Sequence, residues 1–276
     1  MKITKKIVFP ILIIILIFLL IKCVSKINNR KETFTNQNYM CFMCVKLTPE
    51  LLNFANNFKK NYKVFIMVDN NDIKFTSQKQ GINILQIDDQ KCIDLGYQNA
   101  SATLKKNPVT WDKVFYYFGN IDTNFNHIWF IEEDVFVPRY NFFTDLDHKY
   151  PSPDLLCKND IPEATDKQTW HWSRARGKIK KPWFRSLLCC HRQSRRNLQK
   201  VKEYVDQNGS LLFLEFMINT IAHHNNFQVQ TIPQFNNIVF KRKKKYTFDE
   251  VDLDNLYHPI KDLKTHIEFR EKLGTQ

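Results

Sequence analysis

With 276 residues, 43% of them hydrophobic and 25% charged, the chain can bury a substantial core, which excludes a disordered tail or a mini-protein. The formal net charge of +13 is concentrated: residues 1–31, 171–202 and 241–245 hold 7, 11 and 5 of the 41 cations and no acid, leaving 18 cations against 28 acids elsewhere. Because the positive charge is local, the net charge does not indicate a general nucleic-acid-binding protein. The chain has only six glycines and neither a GxGxxG nor a P-loop motif, which argues against dinucleotide-binding and P-loop folds. Its seven cysteines are too few for a fold held together by disulfides.

An uncharged apolar run covers residues 7–21, with lysines on both sides. At about 1.5 Å per residue it is shorter than the roughly 20 residues that usually span a bilayer, although lysine snorkelling and a thin membrane compensate. Because no small-x-small cleavage site follows, we expect an uncleaved signal anchor, with a cleaved signal peptide as the alternative. The expected protein is single-pass and of type II, with a luminal body in an endoplasmic reticulum or Golgi-like compartment, although the flanking cations alone do not decide this orientation.

Three regions follow along the chain: the anchor and its flanks in residues 1–31, a polar stem in residues 32–38, and a folded domain in residues 39–276. In the domain, helical patterns with predicted caps at Thr48 and Thr110 separate apolar runs that predict buried strands. These runs are residues 39–45, 63–68, 82–87 and 127–131. Such an alternation predicts an α/β fold with a mostly parallel, Rossmann-like sheet flanked by helices.

Acidic residues follow three of these strands. Asp69 ends the second strand, Asp88 and Asp89 end the third, and the fourth runs into an acidic turn, residues 132–134, of sequence Glu-Glu-Asp. Since the carboxyl ends of parallel strands meet at the edge where α/β folds bind ligands, we expect these acids to gather there. Three adjacent carboxylates repel each other unless water, protons or a cation neutralise them, and a hard divalent ion takes such ligands. A solvated turn is the simpler alternative.

Beyond residue 151 the alternation weakens into a basic, Trp-rich loop region and two predicted helices, residues 193–206 and 211–224. No internal repeat is present, so we expect this half to pack on the same sheet. Cys41 and Cys44 have redox or zinc-knuckle spacing, but they lie in a predicted buried strand and no second pair follows. A structural role is expected for both.

The domain resembles the membrane-anchored, nucleotide-sugar glycosyltransferases of the GT-A fold, which carry an acidic turn of the DxD type. The resemblance runs from about residue 39 to residue 266. It rests on the opening strand–helix–strand unit ending at Asp69, the Trp111-Asp-Lys113 helix start, residues 129–134, the helix bearing Glu215, and the Tyr-His-Pro-Ile-Lys-Asp segment 257–262. It implies a GT-A-like fold, a nucleoside-diphosphate sugar donor and a glycan, glycoprotein or glycolipid acceptor, with residues 39–150 as the nucleotide-binding half and residues 151–276 as the acceptor-side half.

Carried over position by position, the resemblance implies that Asp134 binds a metal and that Glu132 faces the ribose or the metal, although the turn is ExD rather than DxD. His258 stands where many members supply a histidine ligand. A carboxylate–histidine set suits Mn²⁺, and Mg²⁺ would also be accepted. Further nucleotide-sugar contacts are implied for Asp69, Glu133, Trp111 and Lys113, and phosphate or acceptor contacts for Arg185, Lys261 and Trp183.

Glu215 is the only acid in residues 211–224 and has apolar neighbours. Desolvation by such neighbours raises the pKa of a carboxyl, as a general base requires. Glu215 also resembles the base of the inverting families, where it would take the proton of the acceptor hydroxyl. A retaining reaction would not need this base, and an exposed carboxylate on an amphipathic helix is the simpler alternative.

Two further functions use the same features. A metal-dependent hydrolase of glycosides or phosphoesters could use the acids, although a cluster on one turn does not supply two opposed carboxylates. A non-catalytic, membrane-tethered polyanion binder could use the basic stretches. We interpret residues 241–245 as a loop over the donor or a face against anionic lipid.

Overall fold

The computed structural model describes residues 38–101, 108–167, 171–240 and 244–275. The predicted signal anchor lies outside this part of the chain, as do residues 32–37 of the stem and residues 241–243 of the basic segment. Among the described residues, no helix combines the length and the hydropathy that crossing a bilayer requires.

One sheet of eight strands organises the described chain. In chain order the strands are β1 (Tyr39–Cys44), β2 (Lys63–Val68), β3 (Gln78–Lys79), β4 (Ile82–Leu85), β5 (His127–Glu132), β6 (Leu155–Cys157), β7 (Ile161–Pro162), β8 (Phe184–Arg185), β9 (Cys190–Ser194) and β10 (Val229–Thr231). The sheet order is β10-β6-β9-β5-β1-β2-β4-β3, while β7 and β8 pair with each other. The central strands β5, β1, β2 and β4 run parallel, and β9 runs antiparallel between β5 and β6. The predicted α/β fold with a mostly parallel sheet is therefore confirmed.

Helices cover both faces of the sheet. They are α1 (Pro49–Asn56), α2 (Asp89–Asp94), α3 (Thr110–Asn120), α4 (Phe142–Lys149), α5 (Arg195–Asn208), α6 (Leu214–His224) and α7 (Leu263–Leu273). Apolar residues of α3, α5 and α6 pack on one face, and those of α1 and α4 pack on the other. Because both faces are buried, the central strands are continuous apolar runs rather than alternating ones.

Successive side chains of β1 point to opposite faces. Cys41 belongs to the core under α3, and Cys44 belongs to the core under α1. Both thiols are free and buried. The Cys-x-x-Cys spacing therefore does not bring the two sulfurs to one side of the sheet.

Several predicted boundaries differ from the structure: the helix predicted from residue 211 begins at Leu214, the strand predicted to residue 87 ends at Leu85, and two further differences have identifiable reasons. The helix predicted from residue 193 begins at Arg195, because Gln193 and Ser194 complete β9 and the Ser194 hydroxyl caps the helix by accepting from the Asn197 amide at 3.2 Å. Thr110 lies inside α3 and the cap position is Val109. The amides of Asp112 and Lys113, which a Thr110 cap would have served, donate to the Val109 carbonyl instead, and the Asp112 carboxylate accepts from the Val109 amide at 2.8 Å.

A buried carboxylate on α4 connects helix and sheet. Asp147 accepts hydrogen bonds from the Tyr62 hydroxyl at 2.7 Å, the Trp129 indole at 3.1 Å and the Arg192 guanidinium at 2.6 Å. Arg192 is almost completely buried on β9, so its charge depends on this partner. Removing one member of a buried pair leaves the other charge uncompensated.

We expect Asp147→Ala to lower the free energy of unfolding by about 3–5 kcal/mol, the cost of breaking a buried ion pair. Asp145→Ala on the same helix is the matched control, because Asp145 is half exposed in its pair with Arg139. An exposed pair contributes about 0–1 kcal/mol. Urea denaturation of the two variants measures the difference, and equal losses would contradict the assigned role of Asp147.

Candidate functional site

The acidic turn lies where β5 ends, and backbone hydrogen bonds hold it in place. The Glu132 amide donates to the Cys189 carbonyl at 3.0 Å, and the Glu133 amide donates to the Met43 carbonyl at 2.9 Å. The Glu133 carboxylate accepts from the Val45 amide at 3.1 Å. The turn is therefore tied to β1 on one side and to the start of β9 on the other, and its carboxylates have little freedom to separate.

Glu132 is oriented by the first turn of α3. The Trp111 indole donates to one of its carboxylate oxygens at 2.8 Å, and the other oxygen lies 3.6 Å from Nε2 of His258. Burial and the neighbouring charge of Asp134 raise the pKa of Glu132. Ionised Glu132 would therefore be stabilised by a cation at this position.

Asp134 has two cationic neighbours from the C-terminal segment. One carboxylate oxygen lies 3.3 Å from Nε2 of His258, and the other lies 3.0 Å from Nζ of Lys261. Burial alone would raise the pKa of Asp134, but the hydrogen bonds and charges of His258 and Lys261 lower it to about 2. The structure thus brings together Asp134 and His258, the two residues predicted to share a metal.

Backbone pairing positions His258. The adjacent Tyr257 exchanges backbone hydrogen bonds with Phe136, just beyond the turn, and the Ile260 amide donates to the Asp134 carbonyl at 2.8 Å. Nδ1 of His258 faces the Val239 carbonyl at 3.0 Å. In the neutral imidazole this acceptor holds the proton on Nδ1, which leaves Nε2 as the atom that can bind a cation.

Among the described residues, one cluster of metal-binding side chains stands out: Glu132, Cys189 and His258, each with a ligand atom within 4.8 Å of the others. Ligands that share an ion at about 2.0–2.2 Å lie about 3.0–3.5 Å apart. The 3.3 Å distance from His258 Nε2 to Asp134 falls within that spacing, and the 3.6 Å distance to Glu132 lies just beyond it. The donor set therefore fits a divalent cation.

Glu215 lies in the first turn of α6, beside this cluster. Burial and the charge of Glu132 raise its pKa to about 8, and the charge of Arg185 opposes the shift. The structure therefore places Glu215 within electrostatic reach of the acidic turn. In the metal-free protein its carboxyl is protonated at neutral pH.

Asp69 and Lys113 meet at the same edge of the sheet. The buried Lys113 ammonium contacts the Asp69 carboxylate at 3.0 Å and the Asp89 carboxylate at 2.8 Å. It also donates to the Asp69 carbonyl at 2.9 Å. Lys113 thus connects the end of β2 with the start of α2, and its charge is already compensated by two acids.

Arg185 and Trp183, predicted to contact phosphate or acceptor, have partners within the protein. Arg185 forms a buried ion pair with Asp166, with Nε 2.7 Å from the carboxylate. The Trp183 indole donates to the Ile179 carbonyl at 3.0 Å and packs in the core beside Trp172. Both side chains therefore stabilise the fold of residues 151–276.

Two residues close to the site, Cys189 and Lys158, were not predicted from the sequence to lie there. Cys189 comes directly before β9, and the register that places Cys190 opposite Ile131 puts Cys189 beside Glu132. Only knowledge of that antiparallel pairing could have identified it. Nζ of Lys158 donates to the Asn236 carbonyl at 3.0 Å and to the Ile238 carbonyl, in the segment that carries the acceptor of His258.

No family model matches this chain, and no curated protein matches it. Among solved structures, an active-site mutant of LgtC aligns with a TM-score of 0.49 and 10% identity, over 87% of this chain and 97% of that one. The 4-diphosphocytidyl-2C-methyl-D-erythritol synthase of Anaerococcus prevotii aligns with a TM-score of 0.43 and 6% identity, over 87% and 96%. Mouse xyloside xylosyltransferase 1 aligns with a TM-score of 0.38 and 8% identity, over 82% and 97%. At such scores and identities, neither activity nor residue roles transfer from one chain to another.

We expect the His258 ring of the metal-free protein to titrate above its ordinary pKa of 6.5. Burial opposes this shift, but the hydrogen bond and charge of Asp134 and the charge of Glu132 outweigh it. The Asp134→Asn substitution removes the charge and the charged hydrogen bond that raise the pKa of His258, while burial still lowers it, so the pKa of His258 should fall. NMR titration of the ring measures both values, with His191, whose pKa burial lowers to about 4, as the internal control.

The same shift sets the pH dependence of stability. Because the folded pKa of His258 is raised, its pairing stabilises the fold fully below pH 6.5 and progressively less as the pH rises through the folded value. The excess stability of the wild type over Asp134→Asn should therefore be larger just below pH 6.5 than about two units above it. It should shrink again below pH 3.8, as Asp134 protonates towards its pKa of about 2. A pH-independent difference would contradict the pairing.

Proposed function

We propose that this chain is a GT-A-type glycosyltransferase, which transfers a sugar from a nucleoside-diphosphate sugar to a hydroxyl acceptor with the help of a divalent cation. One observation carries the proposal: His258, from the far end of the chain, meets the acidic turn at the carboxyl edge of a parallel sheet, 3.3 Å from Asp134 and 3.6 Å from Glu132. That edge is where α/β folds bind ligands.

Asp134, Glu132 and His258 would hold the cation. Carboxylate and imidazole ligands alone suit Mn²⁺ and also accept Mg²⁺. When bound, such an ion binds the diphosphate and offsets the charge that develops as the nucleotide leaves. The Trp111 hydrogen bond keeps the Glu132 carboxylate oriented towards this position.

Lys261 supplies a second, movable positive charge. Its side chain is 73% exposed although its ammonium contacts Asp134. An exposed lysine can exchange one anion for another without a large desolvation cost. We assign to Lys261 the binding of the donor phosphates once a cation has taken over Asp134.

Asp69 supports recognition of the nucleoside. One of its carboxylate oxygens contacts Lys113 and the side chain is 26% exposed at the sheet edge. A carboxylate in this position can accept hydrogen bonds from ribose hydroxyls or from a base. Lys113 then acts by holding Asp69 rather than by touching phosphate.

Glu215 is the proposed base for an inverting transfer. Its carboxylate would take the proton of the acceptor hydroxyl as the oxygen attacks the sugar. Burial and the charge of Glu132 raise its pKa to about 8 in the metal-free protein, so positive charge brought close to it would favour its ionisation at neutral pH. Proton removal would thus be coupled to loading of the site.

Membrane attachment remains part of the proposal. The apolar run in residues 7–21 would anchor the enzyme beside a membrane, with its catalytic domain in the lumen where glycan or glycolipid acceptors are built. The acceptor-side half would face those molecules.

A panel of nucleotide sugars, assayed with the full-length chain and Mn²⁺ for released nucleoside diphosphate, tests the function. We expect at least one donor to be consumed, and Asp134→Asn to reduce turnover by about 10²-fold or more because a charged ligand is lost. Asp145→Asn, at a half-exposed position of α4, is the control. Full turnover by Asp134→Asn would remove the metal assignment, and release of free sugar whether or not acceptor is present would favour the hydrolase.

Glu215→Gln should lower kcat by about 10²–10⁴-fold and leave donor KM nearly unchanged, because a general base acts in the transition state. Glu203→Gln, on the exposed face of α5, should have no effect. The wild-type kcat should rise with pH as Glu215 ionises, and Glu215→Gln should lose this dependence. Normal transfer by Glu215→Gln would show that the reaction does not use this base.

A further inference from the structure

We propose that Cys189 is a thiolate ligand of the cation in this site, and that it makes the site prefer thiophilic ions such as Zn²⁺ and Co²⁺ over Mg²⁺. This inference rests on the proposed function, because it concerns the same cation. A thiolate ligand changes which ion the protein selects.

The strand register puts Cys189 at the site. Its carbonyl accepts from the Glu132 amide at 3.0 Å, so its backbone is directly beside the first residue of the acidic turn. Its sulfur belongs to the cluster whose ligand atoms lie within 4.8 Å of one another, with Glu132 and His258. The thiol is also a hydrogen-bond partner of the Glu132 carboxylate.

The surroundings of this thiol differ from those of an ordinary core cysteine. Cys189 is 7% exposed, yet three carboxylates lie within electrostatic reach: Glu132, Glu215 and Asp134. Burial and these charges hold its pKa well above the usual range. A bound cation reverses that balance, because a coordinating thiol is deprotonated and the surrounding carboxylates then face positive charge.

Cys190 provides a contrast within two residues. It is free and completely buried, and like Cys189 it belongs to the core under α1 and α4. Its sulfur is not a member of the metal-binding cluster found among the described residues. A substitution of Cys190 therefore alters the residue next to Cys189 without removing a proposed ligand.

The thiol changes the expected metal preference. Mg²⁺ demands oxygen ligands in a near-ideal octahedron, whereas thiolate ligands favour zinc and other borderline or soft ions. A set of one sulfur, one imidazole nitrogen and the Glu132 carboxylate thus ranks Zn²⁺ and Co²⁺ above Mn²⁺, and Mn²⁺ above Mg²⁺. Replacing the sulfur by oxygen should compress this ranking.

Cobalt spectroscopy on the metal-free, full-length chain tests the proposal. We expect stoichiometric Co²⁺ binding with a near-ultraviolet sulfur-to-cobalt charge-transfer band. Cys189→Ser should lose the band while still binding Co²⁺, and Cys190→Ser should keep it. Circular dichroism and the unfolding midpoint establish that both variants fold.

The results of these experiments distinguish the role of Cys189 from the proposed function of the site. Co²⁺ binding without the band in the wild type overturns the role of Cys189 and leaves the carboxylate–histidine site of the proposed function standing. The absence of any Co²⁺ or Mn²⁺ binding overturns both. Should Cys189→Ser fail to fold, cadmium NMR on the wild type decides, because the shift expected for a thiolate-containing ligand set supports the proposal and a shift of an all-oxygen-and-nitrogen set overturns it.

Discussion

Crowding of negative charge at the end of one strand is the constraint on which the rest of the site depends. The backbone bonds of Glu132 and Glu133 to neighbouring strands hold their carboxylates together, so repulsion cannot be relieved by movement. The negative charge is compensated by a hydrogen bond from the Trp111 indole and by the neighbouring His258 and Lys261 side chains. The elements that meet at the turn are therefore selected by electrostatics as much as by packing.

Elsewhere the protein compensates buried charge with permanent partners. Lys113 is fixed between two carboxylates, and Arg192 is fixed against Asp147 and the backbone carbonyls near it. At the acidic turn the partners are of another kind. Lys261 is largely exposed, and His258 is a titratable group whose pKa is raised by the neighbouring carboxylates against the effect of burial. A ligand-binding site requires charged partners that an incoming ligand can replace. The acidic turn has such partners, whereas the structural ion pairs do not.

Local patterns predicted much of this arrangement. The continuous apolar runs of β1, β2 and β5 exist because helices bury both faces, and the acids that follow them lie at one edge because the strands are parallel. The antiparallel strand β9 was not predicted, because its register is a long-range property, and Cys189 was missed with it. The ion pairs of Lys113 with Asp69 and of Arg185 with Asp166 were not predicted either, because they too join residues that are separated along the chain.

The distance along the chain between the acidic turn and its cations has a consequence for biosynthesis. Asp134 and Lys261 are separated by 127 residues, so during synthesis the turn emerges long before its partners. Closing such a loop costs entropy, and contacts of this range form late in folding. A nascent chain can complete β1, β2 and β5 while its carboxylates still lack His258. The assembled cluster therefore exists only after residues 258–261 have been synthesised and have folded back onto the turn.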